Sequence, residues 1–351
     1  MFGAVCHDVC AAAEVAFALA RAGVGAVVVL DGPLPNGACP VLVADSAGLT
    51  AALEQIAQAG CTQVLVTHDP DCAGPIGAMA DAVVAAMGTG FAVAVPASPA
   101  SGFTLYQGHV FRRQALLHPG VPGDQSNYVR LLSLQSDGTA GLVAHGVVRR
   151  GAGAVRAAMA GQREQGRRVA VVDAVDEADL QVIGAALVGQ SALLGAPTLA
   201  GFVQAAGPPL IPAEAADGPG VILAAATGRD ALFQAAMARE RLPHTALGPD
   251  ALDWAIGLLG ETPLLIVAPP GLPDPVAFAA CAAGVVAAGA RRILITGPAV
   301  AAAVVQALAV QRLWPAAREP WLVTDGKGLP TLAFVNGIGA RSALLDAFDP
   351  D

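Results

Sequence analysis

The chain has 351 residues, 55% of them hydrophobic and only 13% charged, with a formal net charge of −9. Its apolar runs are far shorter than the ~20 residues a membrane-spanning helix needs. An acidic chain with two tyrosines also lacks the clustered cations and stacking aromatics of a nucleic-acid surface. Two domains are the default for this length, the six scattered cysteines are expected as reduced and mostly buried thiols, and Met1 to Val5 carries no basic-then-apolar leader, so a cytoplasmic location is expected.

Short β-branched runs alternate with longer Ala-rich segments, the pattern of βαβ units in a parallel sheet covered on both faces. The first expected strand, Gly3 to Cys6, runs into His7, Asp8 and Cys10 ahead of a helix over Ala11 to Arg21. Side chains at the carboxyl end of a strand face the usual ligand position of an open α/β sheet. Adjacent Cys and His on one tight turn rarely converge on a metal, so no metal site is expected there. Asp8 capping the helix, with Cys6 and Cys10 buried, is the plainer reading.

Strands follow at Ala26 to Leu30, Val41 to Ala44 and Gln63 to Thr67, with helices at Leu49 to Ala59 and Ile76 to Ala86. Between Thr67 and Ile76 stand His68, Asp69 and Asp71, where paired acids at a strand end either position a hydroxyl or a magnesium ion, or simply make a polar turn. The strand Phe91 to Val95 leads into a Gly/Pro-punctuated stretch from Pro96 to Phe111, read as a polar loop. Further strands at Gly141 to Ala144, Val169 to Val172 and Ala192 to Leu194, with a helix at Asp176 to Leu187, complete the first series. Ala205 to Gly220, rich in Pro and Gly, is the expected linker. Beyond it, strands at Val221 to Ala224, Leu264 to Val267, Ile293 to Thr296, Trp321 to Val323 and Thr331 to Val335 enclose helices at Pro275 to Ala288 and Val300 to Leu308. The fold expected is α/β in two domains, each with a mainly parallel sheet flanked by helices and a cleft between them.

Tyr106-Gln107-Gly108-His109, after a Pro-x-x-Pro and a glycine, resembles the oxo-tetronate kinase branch of the four-carbon acid sugar kinases. The resemblance runs in register through His7-Asp8, Asp69 to Gly77, His118-Pro119, Ser126 to Leu132, and Val171-Val172-Asp173-Ala174 with Asp179-Leu180. It implies ATP-dependent phosphorylation, with magnesium, of a small sugar acid. Residues 1–207 would form the sugar-acid substrate-binding domain and residues 218–351 the nucleotide-binding domain. By matching position, Asp8 and Asp69 stand as catalytic carboxylates and Gly102, Ser126, Asn127 and Arg130 as substrate-side residues. A guanidinium suits a sugar carboxylate through its forked donors, although Arg130 is equally readable as a surface helix residue. Thr296, Gly297, Gly337 and Gly339 are the nucleotide-side candidates.

The chain departs from that family where phosphate is handled. His7 replaces the first Asp of the opening motif, and Cys10 its Thr. Pro70-Asp71 replace Ser-Thr, and Phe103 stands where an Arg is expected. Pro298-Ala299-Val300 replace Gly-Glu-Thr, and Val335 takes the lysine position unless Lys327 substitutes. Two readings follow: a divergent sugar acid kinase, or a family member retained for binding or regulation. The expected partners are a small sugar acid and a nucleotide, with no nucleic acid and no membrane, and a homodimer is left open.

Overall fold

The structure is a computed structural model describing residues 1–69, 71–72, 74–117, 126–225, 229–269, 273–335 and 343–348. In chain order the elements up to Leu210 are β1 (Phe2–Cys6), α1 (Val9–Arg21), β2 (Ala26–Val29), β3 (Cys39–Val43), α2 (Leu49–Gln58), β4 (Gln63–Thr67), α3 (Ile76–Ala86), β5 (Ala92–Val95), β6 (Phe103–Tyr106), β7 (His109–Arg112) and β8 (Ala115–Leu116). They continue with α4 (Tyr128–Gln135), β9 (Ala140–Val143), α5 (His145–Val148), α6 (Ala152–Glu164), β10 (Val169–Val172), α7 (Glu177–Ala186) and β11 (Ala192–Gly195). After Ile211 come β12 (Gly220–Ala224), α8 (Arg229–Arg239), β13 (His244–Ala246), α9 (Ala251–Leu258), β14 (Leu264–Val267), α10 (Pro275–Ala287) and β15 (Arg292–Thr296). The last are α11 (Pro298–Ala307), β16 (Arg312–Pro315), β17 (Trp321–Thr324), β18 (Thr331–Val335) and α12 (Ala343–Asp346).

The chain divides into two compact units: Met1–His7, Glu14–Ala26 and Leu34–Leu210 in one, and Asp8–Ala13, Val27–Pro33 and Ile211–Asp351 in the other. In the first, seven strands in the order β3-β1-β4-β11-β5-β10-β9 pair in parallel throughout. Val64, Leu65 and Val66 of β4 are wholly buried, which is why the strand reads as a continuous apolar run rather than an alternation. Parallel pairing brings the carboxyl ends of β1, β3 and β4 to the same edge, with Val5 opposite both Leu42 and Val66. Asn127 and Asp176 start α4 and α7 by accepting the amides of Arg130 (2.9 Å) and Asp179 (2.8 Å).

The second unit has β13-β14-β12-β15-β18 in parallel, continued by β17, β16 and β2 in antiparallel pairing. Its core packs Ile222, Leu265 and Leu294 with Trp321. The Trp321 indole donates to the Ala347 carbonyl (3.0 Å), satisfying the one polar atom of a buried ring. Asp274 starts α10 by accepting the amides of Val276 and Ala277, with Pro275 at the first helical position, where its missing N–H costs nothing.

Every strand and helix expected from the sequence is present, with ends shifted by two residues at most. The stretch after Pro96 differs from the polar loop expected of it. Phe103–Tyr106 and His109–Arg112 pair as an antiparallel hairpin, extended by β8 into a separate three-stranded sheet. The turn uses left-handed backbone at Gln107 (φ 52°) and Gly108 (φ 74°), the geometry that matches strand twist in a two-residue hairpin. Among the described residues no helix is long and apolar enough to cross a membrane.

Candidate functional site

At the carboxyl ends of β1, β3 and β4 lies a cavity of ≈ 340 Å³ in the first unit. His7 enters from the end of β1, Asp45 and Ser46 from the residues after β3, and Thr67, His68 and Asp69 from the end of β4. Leu49 and Met79 supply apolar wall from α2 and α3. Several of these polar groups are held by hydrogen bonds. The His7 ring Nδ1 is 3.0 Å from the Thr67 hydroxyl. One oxygen of Asp45 accepts the amides of Ala47 (3.1 Å) and Gly48 (2.9 Å) as the chain turns into α2. Asp69 Oδ1 accepts the Asp71 amide (3.1 Å), and its backbone carbonyl accepts the Cys72 amide (2.9 Å). Cys72 closes this turn in left-handed backbone (φ 63°), which a non-glycine residue adopts at a cost.

His68 is 1% exposed. Its Nδ1 lies 2.8 Å from the Asp69 carbonyl oxygen and its Nε2 lies 2.7 Å from the Tyr128 hydroxyl. A carbonyl only accepts, so Nδ1 carries the proton and Nε2 accepts from Tyr128. Burial pushes the imidazole down to about 4, against a smaller upward pull from the Asp69 carbonyl, so the ring is neutral at physiological pH. Burial likewise pushes the Tyr128 hydroxyl and the Cys72 thiol well up, so both stay protonated. Among the described residues the pocket lining contains no Lys or Arg, and its carboxylates are those of Asp45 and Asp69.

Of the substrate-side candidates, Ser126, Asn127 and Arg130 sit where the hairpin meets α4, and Gly102 lies at the hairpin's other end, before β6. Ser126 is buried, with its hydroxyl 3.0 Å from His109 Nδ1 and its carbonyl accepting the Val110 amide (2.9 Å). Asn127 uses its side-chain oxygen as the α4 cap. Arg130 is exposed on that helix. Gly102 adopts φ 81° beside the Arg113 side chain, which a Cβ would approach to 3.1 Å. Asp69 and the Ser126–Arg130 segment are joined through His68 and Tyr128.

Asp8, assigned a catalytic role by resemblance, accepts the Ala11 amide at 2.7 Å as the α1 cap, and Cys6 and Cys10 are buried. In the second unit Thr296 is buried at the end of β15, its hydroxyl accepting the Ala225 amide (2.8 Å). Gly297 adopts φ 92° before α11, whose first position is Pro298. Ala299 and Val300 leave no charge or hydroxyl in that first turn, so an anion here would meet backbone amides and the helix dipole alone. Lys327 is exposed, and Gly337 and Gly339 lie outside the described residues.

Sequence reasoning gave no role to several groups that organise this end of the sheet. Asp173 is buried, and its carboxylate accepts the amides of Gln107 (2.8 Å), Gly108 (2.9 Å) and His145 (2.9 Å), clamping the hairpin turn onto β10. Burial nonetheless raises its carboxyl above the usual range, outweighing those three donors. Asp179, also buried, accepts the Val175 amide (2.9 Å) and meets His145 Nε2 at 3.1 Å. An Asp ending a wholly apolar strand was the available signal for Asp173. For Tyr128 there was none, because the residue it meets is 60 positions away.

Parallel strands whose carboxyl ends open on a pocket place the first unit in the α/β class, with that pocket at the usual ligand position of such a sheet. A family profile described as a sugar-binding N-terminal domain matches residues 8–207. The 3-oxo-tetronate kinase of Burkholderia multivorans is 30% identical over 99% of this chain and 95% of its own length. That of Cupriavidus necator is 34% identical over 75% and 72%. A solved Salmonella typhimurium LT2 protein, provisionally named a tRNA synthase, matches with a TM-score of 0.84 over 99% of this chain and 98% of its own, and at 22% identity that likeness bears on the fold alone. The chain belongs to the 3-oxo-tetronate kinase family of sugar acid kinases, as the Tyr106–His109 resemblance implied.

Proposed function

We propose that this protein catalyses ATP-dependent phosphorylation of a small sugar acid of the tetronate or oxo-tetronate type, in the cytoplasm. The observation that carries the reading is the pocket at the ends of β1, β3 and β4, which sets a carboxylate, Asp69, among hydroxyl and imidazole groups in a chain of this family. Residues 1–207 act as the substrate domain and residues 218–351 as the nucleotide domain. Asp69, one of whose carboxylate oxygens accepts the Asp71 amide, takes the proton of the substrate hydroxyl. Asp8 is the second acid. Gly102, Ser126 and Asn127 shape the substrate side, and Arg130 pairs with the sugar carboxylate.

Thr296 and Gly297, with Gly337 and Gly339, receive the nucleotide phosphates. Bound ATP and magnesium would supply the phosphoryl group and neutralise its charge, and exposed carboxylates such as Asp69 fit magnesium's preference for oxygen. The first turn of α11 favours a second reading: with Pro298, Ala299 and Val300 there, the nucleotide side is weak and the protein serves as a sugar-acid binding member of its family. Thermal shift across four-carbon sugar acids, with and without ATP and magnesium, tests both. Stabilisation by a sugar acid that ATP and magnesium increase supports the kinase. Stabilisation by the acid alone supports the binding protein, and none by any acid refutes both.

A further inference from the structure

We propose that His68 and Tyr128 form an uncharged positioning pair that locks the Asp69 turn to the start of α4, so that the pocket carboxylate and the Ser126–Asn127 segment are held as one unit. The proposal deepens the sugar-acid reading above, and rests on it only for the effect on substrate.

Three observations support it. The two side chains are fully enclosed and satisfy each other: the Tyr128 hydroxyl donates to Nε2 at 2.7 Å, and the rings stack with centroids 5.6 Å apart. The other ring nitrogen is used on the carbonyl of Asp69 itself, so the imidazole is anchored at both ends with no polar atom left over. An imidazole held in this way has one tautomer and one orientation. On the far side, Tyr128 is the first residue of α4, directly after the Asn127 cap, and its amide donates to the Gly108 carbonyl (2.8 Å). A displacement of His68 is therefore felt both at the Asp69 carbonyl, which also accepts the Cys72 amide, and at the junction of hairpin and helix.

The neighbouring packing admits little slack. A Cβ on Gly77 would lie 2.5 Å from the Gln135 backbone, so α3 and α4 touch backbone to side, and the Gln135 side-chain oxygen accepts the Gly77 amide (3.1 Å). The far end of α4 is thus tied to α3, while Tyr128 ties its near end to β4. Neither His68 nor Tyr128 need touch the reacting atoms, so both are positioning residues.

The test uses the full chain with Tyr128→Phe, His68→Phe and His68→Gln, read by amide hydrogen exchange. Tyr128→Phe keeps the ring and removes one bond. It should speed exchange about tenfold at Asp71 and Cys72 and also at Arg130 and Leu131, with the rest of the sheet unchanged. His68→Gln places an acceptor oxygen at the Nε2 position and nothing at Nδ1, so it should loosen Asp71 and Cys72 while sparing Arg130 and Leu131. His68→Phe should loosen both. Unchanged exchange at Asp71 and Cys72 in Tyr128→Phe, or uniform loosening of the whole unit, overturns the proposal. Should the variants not fold, ¹⁵N spectra of the wild-type imidazole decide instead: a proton on Nδ1 alone supports the pair, and a proton on Nε2 refutes it. Sugar-acid affinity should fall roughly tenfold in folded Tyr128→Phe. A wild type that binds no sugar acid refutes the kinase reading while the exchange result stands.

Discussion

Acidifying the protein should remove stability through His68. In the folded state burial holds its imidazole at about 4, against an ordinary value of 6.5. Between those values the unfolded chain binds a proton that the folded chain does not, so stability is complete above about 6.5 and is lost as pH falls towards 4. At about 1.36 kcal/mol per pK unit, the step from pH 7 to pH 4.5 should cost about 2 kcal/mol from this residue alone. Urea unfolding of wild type and His68→Phe at both pH values isolates it, because every other titrating group is common to the two chains. The variant starts less stable, with the Tyr128 hydroxyl stranded in the core, and should lose about 2 kcal/mol less on acidification. Parallel losses in the two chains would refute a buried neutral His68.

Three further measurements separate structure from chemistry. Asp173→Ala strands the amides of Gln107, Gly108 and His145 and should cost at least about 3 kcal/mol in chemical denaturation; a loss under about 1 kcal/mol would mean that the hairpin is not held by that carboxylate. Gly77→Ala should destabilise by about 1–3 kcal/mol, since its Cβ would strike the Gln135 backbone, and an unchanged denaturation midpoint would contradict that packing. Calorimetric titration with ATP and magnesium should give affinity weaker than micromolar, because the first turn of α11 offers no charged or hydroxyl group; tight binding would point to compensation from residues outside that turn.

The sheet was legible because a strand buried on both faces leaves a plain mark: Val64, Leu65 and Val66, or Leu264 to Val267, allow no other reading between turn residues. The hairpin was missed because Tyr106-Gln107-Gly108-His109 puts a left-handed turn at a Gln, and what stabilises that conformation is Asp173, 65 residues on from Gly108. Asp69 was singled out as one of two acids at a strand end and Ser126 by resemblance alone, since their residue types specify no reaction. The His68–Tyr128 bond lay beyond both routes: a histidine next to an acid reads as a polar turn until the tyrosine that enters from α4 is seen. Asp8 shows the converse. Its cap on α1 was readable from local rules, and that cap is what the carboxylate does in the structure.

Sugar-acid-dependent phosphoryl transfer, followed by ³¹P spectroscopy with a panel of four-carbon acids, ATP and magnesium, tests the central claim most directly. A phosphomonoester signal should grow with one of these acids, fall at least a hundredfold in rate for Asp69→Asn, and do so without loss of stability, because an exposed amide still accepts the Asp71 N–H. No phosphomonoester from any four-carbon acid with the wild type, or an undiminished rate in Asp69→Asn, would contradict it.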